Sequence, residues 1–257
     1  KSTKPEDAAS VPAPAPGVLT VLPPKLTVMT SVDRRVKAAA PSCGGISDRY
    51  NSSTLFNATI GDNISLEKIA CPIIFLCPAN DFHGRIGDLP LATKEITSRE
   101  WRTTCSPHAS HKDSPPYEVA TLLWFDEHLK DAFTFPRAPN TKLDLGANGT
   151  PVFSIQPDES QTLRSVDVFY TQHGKANETP ADRELTINRF WRHAVATKSN
   201  GNWSAKLPIA YANKPLWVYA NVDYPLEDPV SGVGYYYGAY TSDSFNLSSS
   251  LHVATAS

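Results

Sequence analysis

The chain has 257 residues, which is enough for one large domain or two small ones with a buried core. Its composition, with 40% hydrophobic and 19% charged residues, is that of a globular protein, and a net charge of -2 offers no basic surface for nucleic acid. The longest apolar run is far shorter than the roughly 18 residues that a membrane-spanning helix needs, so we expect neither a nucleic-acid nor a membrane partner.

Three regions of different character follow one another along the chain. Residues 1–24 are rich in proline and alanine and predict an extended tail or linker, because proline blocks helices and central strands. In residues 25–135, the apolar run 69–78 is bounded by prolines and is typical of a strand buried on both faces. A helix over 89–98, a strand over 100–105 and a helix over 115–130 complete a strand–helix–strand–helix order that indicates an α/β layer.

Residues 136–257 show a different pattern of short β-rich runs with Gly, Pro and Asn between them. The runs cover residues 151–155, 164–172, 188–195, 203–207, 215–222 and 234–240. Several short strands at near-regular spacing predict an all-β sandwich, of jelly-roll or immunoglobulin-like type, for this third region.

Polar side chains follow each of the two strands predicted in the α/β layer. Asp81 comes directly after the first strand, and His108 and His111 come after the second. A carboxylate at a strand end holds a histidine in one tautomer and stabilises its charged form. The sequence therefore predicts an acid–base pair of Asp81 with one of these histidines, whereas His83 is expected to be a structural neighbour or a substrate-cleft residue.

Residues 25–130 resemble the acetyl xylan esterase, dienelactone hydrolase and prolyl-oligopeptidase-like branch of the α/β-hydrolases. The matching segments are LTVMT at 26–30, DRRVKAAAPSCGG at 33–45, ANDFHG at 79–84, and His111 with WFDEHL at 124–129. The resemblance implies the C-terminal half of an α/β-hydrolase sheet, followed by an all-β sandwich domain. It implies Asp81 as the catalytic acid and His111 as the base, with His111 preferred to His108 for its spacing to Trp124. It also implies serine-dependent hydrolysis of carboxylic esters such as acetylated polysaccharide, without a metal or an organic cofactor.

The chain departs from this family where the nucleophile is expected. In such proteins a Gly-x-Ser-x-Gly-Gly turn stands just before the segment that matches residue 25, but here residues 19–24 read LTVLPP. The serine position falls on Val21, which has no nucleophilic atom, and the oxyanion-hole N–H falls on Leu22. Ser42 and Cys43 follow a different strand and are not favoured as substitutes. We therefore expect an incomplete site with weak or no activity, and hypothesise that residues 1–24 come from a shifted reading frame or an unrelated sequence.

A non-catalytic role is the alternative, in which the β-sandwich binds glycan or packs against a partner. Trp203, Trp217 and the tyrosines at 235–237 are able to stack on sugar rings, although aromatic side chains in sandwiches more often serve packing. A half sheet would also expose an unpaired edge strand, which predicts association with another chain.

Cysteines and glycosylation signals add two weaker expectations. The four cysteines show no CxxC spacing, so no zinc site is expected, and they are either buried thiols or two disulfides. Seven Asn-x-Ser/Thr sequons favour an extracytoplasmic location, periplasmic or secreted.

Overall fold

The computed structural model describes residues 30–44, 54, 66–83, 85–146, 149–175, 182–234 and 238–255. The strands within these ranges are β1 (Ile73–Leu76), β2 (Trp101–Thr104), β3 (Asn140–Asp144), β4 (Val152–Gln156), β5 (Ser165–Thr171), β6 (Arg192–Val195), β7 (Thr197–Ser199), β8 (Asn202–Lys206), β9 (Leu216–Gly234), β10 (Gly238–Ser248) and β11 (His252–Ala254). The helices are α1 (Leu89–Glu95), α2 (Pro115–Lys130) and α3 (Arg183–Ile187).

A small parallel pair lies in the first half of the chain. β1 pairs with β2 in parallel, with Ile73 opposite Trp101. Two isolated parallel bridges, from Ala39 to Ile73 and from Ser42 to Leu76, bring the segment before Cys43 alongside β1. All four residues of β1 are buried, which explains why its sequence is uniformly apolar rather than alternating.

Two antiparallel sheets make up most of the described strands. The large sheet has the order β10-β9-β5-β6, with β11 also pairing to β9, and the small sheet has the order β3-β4-β8-β7. Phe153 and Ile155 of the small sheet pack with Val166 and Val168 of the large sheet in one apolar core. The two sheets therefore form a β-sandwich.

The large sheet is covered on both faces, and β9 shows this most clearly. Val218, Ala220 and Val222 point into the core shared with the small sheet, whereas Trp217 and Tyr219 pack in a second core with residues of β1. Because both faces are buried, the start of β9 reads as a continuous apolar run.

α2 lies over the parallel pair and β10. Pro115 and Pro116 occupy its first turn, where a missing backbone donor costs nothing, and Asp131 ends it in a left-handed conformation at φ 52°. Its buried residues Leu123 and Trp124 belong to the same core as Phe245 of β10. That core therefore contains residues from both sides of the predicted boundary between regions 25–135 and 136–257.

The edge of β2 that faces away from β1 meets the large sheet through buried hydrogen bonds. The Cys105 N–H donates to Ser248 Oγ at 2.8 Å, and Thr103 Oγ1 donates to the Ser248 carbonyl at 3.1 Å. The Asn221 amide donates to the Cys105 carbonyl at 3.1 Å. These bonds satisfy backbone groups that an open sheet edge would leave exposed.

The predicted fold class, α/β with half of an α/β-hydrolase sheet, is wrong for the described residues. Parallel pairing there is limited to β1, β2 and two bridges, while the large and small sheets are antiparallel. The local order strand, helix, strand, helix was correctly recognised. Its extension into a layered parallel sheet was wrong. Residues of β9 and β10 lie beside β2, where such a sheet would have another parallel strand.

Several predictions lie outside the described residues: the tail over 1–24, the substituted nucleophile position Val21 with Leu22, and the tyrosines at 235–237. Among the described residues, no helix is both long enough and apolar enough to cross a membrane.

Candidate functional site

Asp81 and His111 lie on two loops that leave the carboxyl ends of β1 and β2. Backbone hydrogen bonds join these loops, from the Ala79 N–H to the Ser106 carbonyl and from the Asn80 N–H to the Ala109 carbonyl, both at 2.9 Å. Parallel pairing of β1 and β2 therefore places residues 30 positions apart in sequence at one edge.

The two side chains meet directly. His111 Nδ1 lies 3.0 Å from Asp81 Oδ1, and the His83 backbone N–H donates to the same oxygen at 2.8 Å. The Asp81 side chain is fully buried, whereas the His111 side chain is 32% exposed. The hydrogen bond to Asp81 raises the pKa of His111, and partial burial of the ring opposes that effect.

This arrangement suits proton transfer, because a buried carboxylate fixes the imidazole and stabilises its charged form. His108 lies elsewhere: its backbone has φ 60° and its ring packs 5.6 Å from the Phe190 ring. The His83 ring lies 5.7 Å from the His111 ring. The roles of Asp81 as acid and His111 as base stay predictions.

Cys43 joins this pair, which sequence reasoning missed. Its Sγ, a ring nitrogen of His111 and a carboxylate oxygen of Asp81 all lie within 4.8 Å of one another. The apolar run before residue 41 is the sequence signal that could have indicated a further strand there. In the structure this segment forms two bridges to β1, which bring Cys43 to the same edge. Four free cysteines are present, and Cys43 is one of the three that are buried.

The Cys43 thiol is poorly suited to act as a nucleophile. Burial and the negative charge of Asp81 raise its pKa far above the ordinary value, so the reactive thiolate is not formed at neutral pH. The residue is 4% exposed and its backbone has φ 56°.

Two buried carboxyl groups, those of Asp81 and Asp113, lie near the thiol. Asp81 Oδ2 is inaccessible and accepts no hydrogen bond of good geometry from the described residues, although the Cys43 thiol lies beside the carboxylate. Asp113 is also buried, and burial raises its pKa to about 7 against the opposing effects of Ser106 and Ser114.

A second candidate site lies at one end of the β-sandwich, and we call it the aromatic cleft. It is a small cavity of about 60 Å³. Its lining consists of Thr171, Gln172, His173, Phe190, Arg192, Ala210, Tyr211 and Lys214. Phe190 is 59% exposed and Tyr211 is 55% exposed, and every other described Phe, Tyr or Trp side chain is buried or half-buried.

Hydrogen bonds hold the walls of the aromatic cleft in place. Gln172 Oε1 accepts from the Ala210 N–H at 2.8 Å and from the Tyr211 N–H at 3.1 Å. The Lys214 ammonium lies 4.4 Å from the centre of the Tyr211 ring. The backbone of Tyr211 is therefore held by Gln172, and the Lys214 cation lies against its ring.

The aromatic residues predicted to bind sugars are placed differently. Trp217 is 1% exposed and packs in the core, so its ring faces cannot meet a ligand. Trp203 is half-buried, with its indole N–H donating to Glu159 and the Lys198 ammonium 5.8 Å from its ring. Phe190 fell within the predicted β-rich run 188–195 and Tyr211 lies in an irregular loop, so the sequence singled out neither as a surface residue.

Comparisons with known proteins identify no family for the chain. No protein-family model matches it, and no curated protein matches it. A solved structure described as "Crystal structure of Br derivative BhCBM56", a carbohydrate-binding module, is 16% identical, and the match covers 44% of this chain and 92% of that one. Its TM-score of 0.23 carries no argument about fold or function.

The interpretation of the chain as a hydrolase or esterase rested on an α/β-hydrolase sheet with a catalytic triad, and it is corrected together with the fold class. The antiparallel sheets replace the sheet that would carry the triad, and no match with a known protein gives that interpretation independent support. Within the described residues, the side chains that meet are Asp81, His111 and a protonated thiol, which do not make a serine triad.

Proposed function

We propose that this chain is a non-catalytic carbohydrate-binding protein that holds polysaccharide in the aromatic cleft of its β-sandwich. One observation carries the proposal: the two exposed members of the described Phe, Tyr and Trp side chains, Phe190 and Tyr211, both line the same cavity. Aromatic side chains exposed in a concave site mark binding surfaces, because leaving them in water has a free-energy cost that a ligand removes.

The chemistry of the lining fits a sugar. The apolar C–H face of a pyranose ring packs on an aromatic ring, and its hydroxyl groups need hydrogen-bond donors and acceptors close by. Gln172, His173, Arg192 and Lys214 supply such groups around the two rings. The cavity is small, so most of the contact area must come from the exposed ring surfaces.

The charge of the lining favours one kind of polysaccharide. Arg192 and Lys214 are cations and none of the described lining residues is a carboxylate, so a sugar chain that carries uronic acid groups gains an attraction that a neutral chain lacks. We therefore propose a polysaccharide that carries uronic acid groups as the preferred ligand.

Affinity electrophoresis and calorimetry with the full chain test this proposal. We expect glucuronoxylan to bind more tightly than acetylated xylan without uronic acid. Tyr211→Ala and Phe190→Ala should each weaken binding about five- to tenfold, since one aromatic contact contributes about 1 kcal/mol. Lys214→Ala should remove the preference for the acidic chain and make binding less sensitive to salt.

Two variants serve as controls. Val233→Ala removes an exposed apolar side chain, 79% exposed, outside the cleft lining, and His111→Ala removes the ring held by Asp81. Both should bind like the wild type. No binding of any of these polysaccharides by the wild-type chain, or an equal loss in Val233→Ala, would refute the proposal.

A further inference from the structure

We propose that Cys43, Asp81 and His111 form a binding site for a zinc-type divalent cation at the edge of the parallel pair. The inference is independent of carbohydrate binding, because the aromatic cleft uses none of these residues. It starts from the three potential ligand atoms, which lie within 4.8 Å of one another.

The donor set matches one class of metal. Zinc and similar borderline-soft ions are held by thiolate, imidazole and carboxylate at about 2.0–2.3 Å, which places ligand atoms about 3.3–3.6 Å apart in a tetrahedron. Binding therefore displaces the proton of the Cys43 thiol to solvent. The His111 and Asp81 atoms are already 3.0 Å apart. Closing the set around an ion therefore needs shifts of about 1 Å, with a fourth position left for water or another ligand.

Asp81 Oδ2 gives a second and separate reason for a cation. It is a carboxylate oxygen on a fully buried side chain, and it accepts no hydrogen bond of good geometry from the described residues. Buried carboxylate oxygens are ordinarily satisfied by a donor or by a metal ion. The same carboxylate lies beside the Cys43 thiol, so the unsatisfied oxygen belongs to the cluster that supplies the other two ligands.

The fold provides both rigidity and access. The Asp81 loop is held by the Asn80 side chain, whose amide donates to the Arg189 carbonyl at 2.7 Å and whose oxygen accepts from the Trp191 indole at 2.8 Å. The His111 ring, 32% exposed, is the open side through which an ion enters. Asp81 and Cys43 are therefore held by buried structure, and the partly exposed His111 ring makes most of the shift when an ion replaces its hydrogen bond to Asp81.

Loading the full chain with Co²⁺ tests the site, because a cobalt–thiolate bond gives a near-ultraviolet charge-transfer band and tetrahedral coordination gives intense visible bands. We expect one equivalent of Co²⁺, displaced by Zn²⁺. Cys43→Ser, Asp81→Asn and His111→Ala should each weaken binding by more than about 100-fold, since even residues that only support metal ligands contribute 10–100-fold. Circular dichroism checks that each variant is folded, and His111→Ala removes a partly exposed ring that the fold tolerates.

Cys71→Ser is the matched control, because Cys71 is a free, half-buried cysteine outside the cluster. It should keep the cobalt spectrum of the wild type. Absence of a charge-transfer band in the wild type, or its survival in Cys43→Ser, overturns the proposal.

Discussion

At the scale of single residues, Asp158 shows how one carboxylate joins distant segments. It accepts hydrogen bonds from the backbone N–H and Nε of Arg137, at 2.9 and 3.0 Å, and from the Ser160 N–H at 3.0 Å. Its carbonyl accepts from the Tyr224 hydroxyl at 3.0 Å. Burial alone would raise the pKa of Asp158, but the hydrogen bonds from Arg137 and Ser160 outweigh it and hold the pKa well below the usual range.

Asp158→Asn should therefore change how the free energy of unfolding depends on pH. In the unfolded chain an aspartate titrates near 3.9, and in the folded protein Asp158 titrates lower. Its contribution to the free energy of unfolding is therefore complete above about pH 5 and is lost as the pH falls below that. Because Arg137 is largely exposed, we expect a contribution of about 1 kcal/mol at pH 7. Urea unfolding of the variant from pH 7 to pH 2 should show a smaller loss of stability than the wild type.

Asp144→Asn is the control, because Asp144 is an exposed aspartate on the small sheet. Its pH profile should follow that of the wild type. If Asp158→Asn also follows the wild type over the acid range, the hydrogen bonds to Asp158 do not stabilise the fold.

At the scale of elements, the packing of β9 against its neighbours depends on two glycines. A Cβ at Gly87 would lie 2.7 Å from the Trp217 ring, and one at Gly174 would overlap the Trp217 indole. The Arg189 guanidinium lies 4.6 Å from the centre of the same ring. The indole therefore fills a slot that is shaped by the absence of side chains.

Gly174→Ala should destabilise the protein by about 1–3 kcal/mol, because the added methyl group forces the indole or the backbone to move. Chemical denaturation measures this loss. The double variant Gly174→Ala with Trp217→Phe should lose less stability than the sum of the two single variants, since the smaller ring makes room. Additive losses would show that the methyl group acts somewhere other than on Trp217.

The sequence predicted some elements closely and missed others for physical reasons. α2 spans Pro115–Lys130 as predicted, because prolines mark its start, and β1 shortens to the residues that flanking prolines allow. β3 was missed because its polar sequence alternates exposed with half-buried side chains at a sheet margin. β9 runs on to Gly234, well past the predicted end at 222, because most of its later residues are exposed or half-buried and no longer form a continuous apolar run.

Of the candidate site residues, some were predicted from the sequence and others were missed. The meeting of Asp81 with His111 follows from strand ends that can be read in the sequence, and the structure places them 3.0 Å apart. Cys43 joins them through two isolated bridges, a pairing too short to leave a periodic pattern. Phe190 and Tyr211 line one cavity because the loops around β6 and β9 come together, and no local property of either segment encodes that proximity.

At the scale of the whole molecule, the parallel pair and the sandwich share one apolar core and a buried polar joint at Ser248. Because residues of both parts fill this core, neither part would bury its apolar side chains without the other. We therefore expect both parts to unfold in a single transition. Hydrogen exchange of β1 amides and of β4 amides should report the same global free energy of opening.

Ser248→Ala tests this joint. It leaves the buried Cys105 N–H without its acceptor and should lower stability by about 1–3 kcal/mol in both regions equally. Ser231→Ala removes an exposed hydroxyl that bonds to Thr241 and should have little effect. A loss of protection confined to β1 and β2 would mean that the two parts open independently.

The bond between Cys105 and Ser248 also sets an order of events during translation. The two residues are 143 positions apart, and a ribosome that adds about 5–20 residues per second needs about 7–30 s to make the intervening chain. For that time the nascent strand β2 has an uncovered margin beside apolar side chains, the condition under which chains aggregate or recruit chaperones. Because β10 is made this much later than β2, we expect the yield of folded protein to depend on protection of β2 during translation, even where the finished molecule is stable.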